Sequence, residues 1–139
     1  MSGPGIAAET GALLRALADT RDEMRQKERD HRRTTDTLLR EVMDVADGVE
    51  RLHKTMPPDQ AIALQAVVAQ IHELLASREL VAFRPAVGSD VDGRSCEVMA
   101  TVERTGLRPG TVTAVIRSGY RGGDRIVRRA GVEIVKEQA

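Results

Sequence analysis

The 139-residue sequence predicts an α+β fold in which a long helix and a shorter bundle helix precede a small antiparallel β-domain. Three observations predict this order. Residues 11–56 contain no proline and are rich in helix-forming side chains. Pro57 and Pro58 interrupt that composition, and beyond Arg78 glycines and β-branched residues replace it. We therefore expect a flexible segment over residues 1–10, a helical region over residues 11–78 and a β-domain over residues 79–139.

The apolar positions of the first helix follow a heptad repeat. They recur at steps of three and four, so that two copies of the helix could pair along one stripe as a coiled coil. Midway along the helix the same register falls mainly on polar residues, and pairing should be weak there. The residues that we assign to dimerisation and bundle packing are Leu38, Val42, Val45, Val49 and Leu52.

A second helix is predicted directly after the proline pair. Pro57 and Pro58 end the first helix, because proline lacks a backbone N–H and disfavours helical geometry in the residue before it. Asp59 is expected to be the N-cap of the second helix. Residues 60–77 carry an apolar stripe that is wider than a two-stranded seam, which is typical of a helical bundle.

The C-terminal part of the sequence changes to the period of β-strands. Residues 96–103 and 111–116 alternate in the manner of strands that bury one face. Pro109-Gly110 predicts a turn before the second of these strands, and Gly122-Gly123-Asp124 predicts another turn further along. A final strand is expected over residues 126–135.

Composition excludes several classes of function. The 21 basic and 21 acidic residues cancel, which argues against global attraction to nucleic acid or to an anionic membrane. The lone cysteine, Cys96, excludes an internal disulfide, and the sequence holds no metal-ligand spacing, phosphate-binding loop or Ser/His/Asp arrangement. We therefore expect a cytoplasmic protein that is not an enzyme, has no cofactor or metal, and binds neither membrane nor nucleic acid.

Residues 108–136 resemble the C-terminal signature of the GrpE family. In that family a Pro-Gly-x-Val turn leads to a Gly-Tyr pair and then to a strand of the form Gly-Arg-x-x-Arg-x-Ala-x-Val-x-Val. The corresponding residues here are Pro109-Gly110, Gly119-Tyr120 and the run from Arg125 onward. Residues 88–98 and 39–52 match two further family segments less closely. The sequence departs from the family pattern at Val91, Gly93, Cys96, Asp124 and Arg129.

The resemblance implies a homodimeric co-chaperone that acts as an adenyl-nucleotide exchange factor. Such a protein promotes ADP release from a DnaK-type chaperone by holding the cleft of its ATPase domain open. Residues 104–129 carry seven arginines and one acidic residue, which suits contact with a carboxylate-bearing partner. The residues that the resemblance implies for chaperone binding are Arg125, Ile116, Ile134, Arg128, Tyr120 and Gly119, together with Arg32 and Arg33 on the long helix.

Other interpretations of these residues stay open from the sequence. Ile116 and Ile134 alternate in phase with buried positions and could pack in the core. Tyr120 could cover the small core, and Arg32 and Arg33 could belong to a solvated helix face. For the whole chain, the alternatives to nucleotide exchange are a nucleic-acid-binding module, in which the arginine-rich sheet follows phosphates, and a dimeric helical scaffold with a small β cap.

Overall fold

The computed structural model describes residues 3–137, in which two α-helices precede six β-strands. The predicted α+β order of helices followed by a small β-domain is confirmed. The helices are α1 (Gly3–Thr55) and α2 (Pro58–Ala76). The strands are β1 (Val81–Phe83), β2 (Cys96–Val102), β3 (Val112–Arg117), β4 (Gly119–Gly122), β5 (Arg125–Arg128) and β6 (Ala130–Val135).

Helix α1 begins at Gly3, before the position at which the sequence predicts the start of the helical region. The chain divides into two compact units between Glu41 and Val42. In the first unit nearly all described side chains are exposed, and helix-internal hydrogen bonds include one from Thr20 Oγ1 to the carbonyl of Ala16 at 2.9 Å. This unit is a single helical segment whose apolar side chains, such as Leu17, face solvent in the isolated chain.

The junction between the helices differs from the sequence prediction in its capping residue. Pro57 is the N-cap of α2, Pro58 is its first residue, and no side chain caps this helix end. The prediction that Asp59 is the N-cap is therefore wrong. Proline suits the first helical position, because its missing N–H would have no partner there and its φ angle is already helical. Asp59 lies in the first turn, where a negative charge interacts favourably with the helix dipole.

The strands form two three-stranded sheets. The strand order is β1-β4-β5 in the first sheet and β2-β6-β3 in the second. All neighbouring strands in these sheets are antiparallel except β2 and β6, which are parallel, so the β-domain is mixed rather than wholly antiparallel. The predicted strand over residues 126–135 is in fact two strands, β5 and β6, which belong to different sheets.

The chain passes from one sheet to the other at three places: the first is the long segment between β1 and β2, and the other two are single residues. Ser118 lies between β3 and β4, and Arg129 lies between β5 and β6. The predicted turns lie where expected: Gly110 follows Pro109 with a φ of 84°, and Gly123 joins β4 to β5 with a φ of 62°. Both glycines adopt the left-handed conformation that side chains disfavour.

The core of the second sheet consists of five buried residues, Cys96, Val112, Val115, Val132 and Ile134, with Val91 packed against them. Next to one passage between the sheets, Gly119 approaches its neighbours closely. A Cβ atom there would lie 2.7 Å from the backbone nitrogen of Ala130 and would overlap Cζ of Phe83. Backbone cannot yield as a flexible side chain does, so this close approach requires glycine.

Candidate functional site

The hairpin of β4 and β5 presents basic side chains to solvent. Along β5 the side chains alternate, so that Arg125 and Val127 are exposed while Ile126 and Arg128 are half-buried. On β4, the guanidinium of the exposed Arg121 lies 4.9 Å from the centre of the Phe83 ring, a cation–π contact that holds it over the first sheet. Within the described residues Arg125 forms no ion pair and no side-chain hydrogen bond.

The arginines of residues 104–129 fall into two groups. Arg108, Arg117 and Arg128 have acidic partners, namely Asp90 at 3.0 Å, Glu97 at 3.2 Å and Asp47 at 2.7 Å. The other four have no acidic partner among residues 3–137; they are Arg104, Arg121, Arg125 and Arg129. These four uncompensated charges make the exposed surface of the β-domain available to an acidic partner.

Arg128 is held by helix α1. Its two terminal nitrogens donate to the two carboxylate oxygens of Asp47, each at 2.7 Å, and Nη2 also donates to the carbonyl of Ser118 at 2.7 Å. The side chains of Asp47 and Arg128 are only 12% and 18% exposed. A bidentate, charge-assisted pair at this distance fixes both position and orientation.

Glu50, one helical turn beyond Asp47, binds two further parts of the β-domain. Its carboxylate accepts hydrogen bonds from Ser118 Oγ at 3.0 Å and from Arg84 Nη1 at 3.2 Å. Arg84 Nη2 also donates to the carbonyl of Val115 at 3.3 Å. Nε2 of His72 lies 3.3 Å from Glu50 Oε1 but is not aligned for a hydrogen bond. We call Asp47, Glu50, Arg84, Ser118 and Arg128 the latch.

Tyr120 is fully buried beside the latch. Its ring lies 4.9 Å from the guanidinium carbon of Arg128 and meets the ring of His72 edge-on at 6.1 Å. Its hydroxyl has no hydrogen-bond partner among the described residues. Burial, reinforced by the negative charge of Glu50, raises the pKa of Tyr120 from 10.0 to about 12.

This pKa predicts a loss of stability at high pH. The unfolded chain releases the Tyr120 proton near pH 10 and the folded chain near pH 12, so the free energy of unfolding should fall between these values, by at most about 1.4 kcal/mol per pH unit. Tyr120 is the sole tyrosine and tryptophan is absent. An absorbance titration of tyrosinate therefore reports this residue directly. A midpoint near pH 10 in the folded protein, equal to that in urea, would contradict the prediction.

The structure places the candidate chaperone-binding residues of the β-domain at different depths. Arg125 is exposed and Ile116 is half-buried on β3. Ile134 is a core residue at 5% exposure, and Gly119 and Tyr120 are buried. The buried residues therefore shape the sheets behind the exposed hairpin. Arg128 faces the latch.

The two candidates on the long helix, Arg32 and Arg33, are exposed in the first unit. Among the dimerisation candidates, Leu38, Val45 and Leu52 are 56%, 58% and 47% exposed in the single chain, and Val42 and Val49 are half-buried. An exposed apolar stripe on a helix is what pairing of two chains would cover.

Sequence reasoning missed the second face of α1. Met43 and Ala46 are buried, and they share one side of the helix with Asp47 and Glu50. This side lies outside the heptad stripe that contains Val45. The sequence does contain a sign of this face: Asp47 and Glu50 are three residues apart and share a helix side with two apolar residues outside the heptad stripe. Their basic partners, however, lie far away in the sequence.

Residues 3–137 contain neither a membrane-spanning helix nor a cluster of metal ligands. Neither helix of the described part of the chain combines the length and the apolar character that crossing a membrane requires. No group of three or more histidine, cysteine, aspartate or glutamate side chains in this range is placed to hold a metal ion.

Comparison with known proteins identifies the family. The GrpE family model matches residues 10–136. Protein GrpE of Parvibaculum lavamentivorans is 30% identical over 157 residues, covering 97% of this chain and 74% of that protein. Protein GrpE of Pseudomonas fluorescens is 26% identical, covering 96% and 76%, and that of Chlorobium luteolum is 29% identical, covering 89% and 69%. The chain therefore belongs to the GrpE family of co-chaperone nucleotide exchange factors.

Proposed function

We propose that this chain promotes ADP release from a DnaK-type chaperone by binding the chaperone's ATPase domain and holding its nucleotide cleft open. The observation that carries the proposal is the basic β4–β5 hairpin on a chain of the GrpE family. Arg125 lies on this hairpin at the position of the first arginine of the family signature, and it has no acidic partner among the described residues.

The action follows from differential binding. A factor that binds the open form of the ATPase domain better than the closed form shifts the domain toward the open form, and bound ADP then dissociates. Because the coupling is reciprocal, binding of the next nucleotide weakens binding of the factor by the same ratio. The chain makes and breaks no covalent bond in this scheme.

We place the main chaperone contact on the exposed side of the hairpin. Arg125 supplies a guanidinium that can bind a carboxylate through two hydrogen bonds. Ile116, half-buried on β3, is proposed to add apolar contact at its exposed edge. Gly119, Tyr120 and Ile134 act from within by shaping the sheets, because their side chains are buried in this chain.

A second contact is proposed for Arg32 and Arg33 of helix α1. Both side chains are exposed and have no acidic partner among the described residues. Two adjacent arginines on a helix can bind acidic groups on a partner that lies along it. This contact is independent of the hairpin and can be tested separately.

We also propose that the protein is a homodimer that pairs through α1 and α2. Leu38, Val45 and Leu52 of α1 are exposed, as are Ile62 and Leu74 of α2 at 69% and 56%. Exposed apolar side chains at helical spacing are typical of a surface that another helix covers. The buried single cysteine, Cys96, supports the further proposal that the protein acts in the reducing cytoplasm.

The direct test is the rate at which a fluorescent ADP analogue leaves a DnaK-type chaperone of the same organism. Addition of this protein should accelerate release, and Arg125→Ala should raise the concentration needed for half-maximal acceleration about tenfold or more, as loss of an interface arginine commonly does. The substitution should leave the fold intact, because Arg125 is exposed and makes no contact that the fold needs.

Arg94→Ala is the matched control. Arg94 is also exposed, on the loop before β2, and its loss changes the net charge equally. It should leave the half-maximal concentration within about twofold of that of the unmodified protein, as a surface change away from the interface does. Absence of acceleration with every DnaK-type chaperone of the organism would contradict the proposal. Steeply salt-dependent binding of nucleic acid instead would favour the alternative module.

A further inference from the structure

We propose that Asp47 and Glu50 are positioning residues for nucleotide exchange, which set the orientation of the hairpin that carries Arg125. This inference rests on the proposed exchange function. Neither carboxylate needs to touch the chaperone, because both are turned toward the chain's own β-domain. Their contacts with Arg128, Ser118 and Arg84 are all made within the second compact unit.

The latch holds two of the three places at which the chain passes between the two sheets, namely those from β3 to β4 and from β5 to β6. Ser118, between β3 and β4, donates to Glu50 through its hydroxyl, and its carbonyl accepts from Arg128. Arg128, the last residue of β5, lies immediately before the passage from β5 to β6 and pairs with Asp47. Asp47 and Glu50 are three residues apart on α1 and therefore lie on one side of the helix. A single helical turn thus fixes the relation of both sheets to the helix.

The latch is linked to Arg125 by a short, stiff segment. Arg125 and Arg128 are the first and last residues of β5, and three residues of strand span roughly 10 Å. Within β5, Arg128 faces inward and Arg125 faces outward. A change in the orientation of the Arg128 end of β5 therefore moves Arg125 as well. A factor that acts by holding a cleft open needs this stiffness, because a yielding hairpin could bind without forcing the open form.

The hydrogen bonds of the latch fix the direction of the hairpin, which apolar packing of the hairpin against α1 would not do. A guanidinium that binds a carboxylate through two hydrogen bonds has one favoured direction, whereas apolar packing has none. Buried ion pairs are often replaceable by apolar residues of similar size without loss of stability. The variants below use this difference to separate the stability of the fold from the orientation of the hairpin.

The first experiment measures two quantities in the ADP-release assay: the maximal acceleration at saturating protein and the concentration for half-maximal acceleration. Asp47→Asn should lower the maximal acceleration about tenfold and change the half-maximal concentration by less than about threefold, because it alters the effect of binding rather than the contact. A direct contact role would instead raise the half-maximal concentration.

Asp44→Asn is the control for this substitution. Asp44 lies one turn before Asp47, is 78% exposed, and approaches Arg128 only to 3.9 Å. The same chemical change at this position should leave both quantities within about twofold. If both variants lost the same share of the maximal acceleration, the loss would come from the change in net charge rather than from the pair with Arg128, and the inference would be overturned.

A double variant tests the inference even if Asp47→Asn fails to fold. Asp47→Leu combined with Arg128→Met removes both charges, so that no unpaired charge is left buried, and should fold with a thermal midpoint close to that of the unmodified protein. We expect it to show the same low maximal acceleration as Asp47→Asn. Full acceleration by this stable variant would overturn the inference.

The outcomes distinguish this inference from the proposed function. If the unmodified protein accelerates ADP release and Asp47→Asn does so equally well, the exchange function stands and the positioning role is wrong. If the unmodified protein accelerates release from none of the organism's DnaK-type chaperones, the proposed function fails, and the inference that rests on it is overturned as well.

Discussion

The Val45→Asp variant is expected to be monomeric at concentrations at which we expect the unmodified protein to form the proposed dimer. Val45 is 58% exposed in the single chain and lies in the centre of the heptad stripe, between Val42 and Val49. A carboxylate at this position would be buried without a partner when two helices pair. That costs at least about 3 kcal/mol, which weakens association by more than about a hundredfold.

Sedimentation equilibrium over a range of protein concentrations measures this effect. Arg51→Asp is the matched control, because it introduces the same side chain at an exposed position of α1 outside the stripe. It should leave the dissociation constant within about tenfold of the original value. A Val45→Asp variant that dimerises as well as the Arg51→Asp control would show that α1 does not pair through this stripe.

The Arg128→Ala variant is expected to lose about 3 to 5 kcal/mol of unfolding free energy, because it leaves the carboxylate of Asp47 buried without its partner. It also removes the donor to the carbonyl of Ser118 and the guanidinium beside the ring of Tyr120. This loss is larger than the roughly 0.5 kcal/mol that substitutions of exposed side chains usually cost. Urea denaturation at one fixed protein concentration measures the change, since dimerisation would couple stability to concentration.

Arg125→Ala is the control within the same strand. It removes the same side chain three residues away, where the arginine is exposed and has no acidic partner among the described residues. Its unfolding free energy should stay within about 0.5 kcal/mol of the original. Equal stability of the two variants would mean that the pair of Asp47 and Arg128 does not hold the β-domain in solution.

The sequence predicted the two helices, β2, β3 and the two turns because each has a local cause, whereas the short strands β1 and β4 were not predicted. Helix-forming composition predicted α1, and the proline pair located its end within two residues of the observed Thr55. Glycines with left-handed backbone geometry at positions 110 and 123 correspond to the two predicted turns. The capping prediction at Asp59 failed because Pro57 and Pro58 begin the helix by fixing the backbone, without a side-chain cap.

The division of the strands between two sheets could not be predicted in the same way. Alternation of apolar and polar residues shows that residues 126–135 are extended, but it does not show which neighbours they pair with. Pairing joins β5 to β4 and joins β6 to both β2 and β3. Such pairings depend on contacts between residues that are far apart in sequence, and a strand pattern is the same for parallel and antiparallel neighbours.

In the candidate site, too, the sequence identified individual residues but not the contacts between them. Arg125 was identified from the sequence through its place in the family signature, and the structure places it on the exposed side of β5. Arg128, from the same signature, faces inward to Asp47, which precedes it by 81 residues. Nothing local to either residue reveals this pairing, since a charged residue on a helix and one on a strand each look solvated when considered alone.

The sequence by itself therefore determined that helices precede a β-domain, the family and the basic character of the hairpin, since these depend on local composition and spacing. Only the tertiary structure decided which arginines are free to meet a partner and which are held inside. That distinction depends on where Asp47 and Glu50 of α1 meet Arg128, Ser118 and Arg84 of the β-domain. Folding brings these groups together, and their mutual neutralisation leaves Arg125 as the exposed charge of β5.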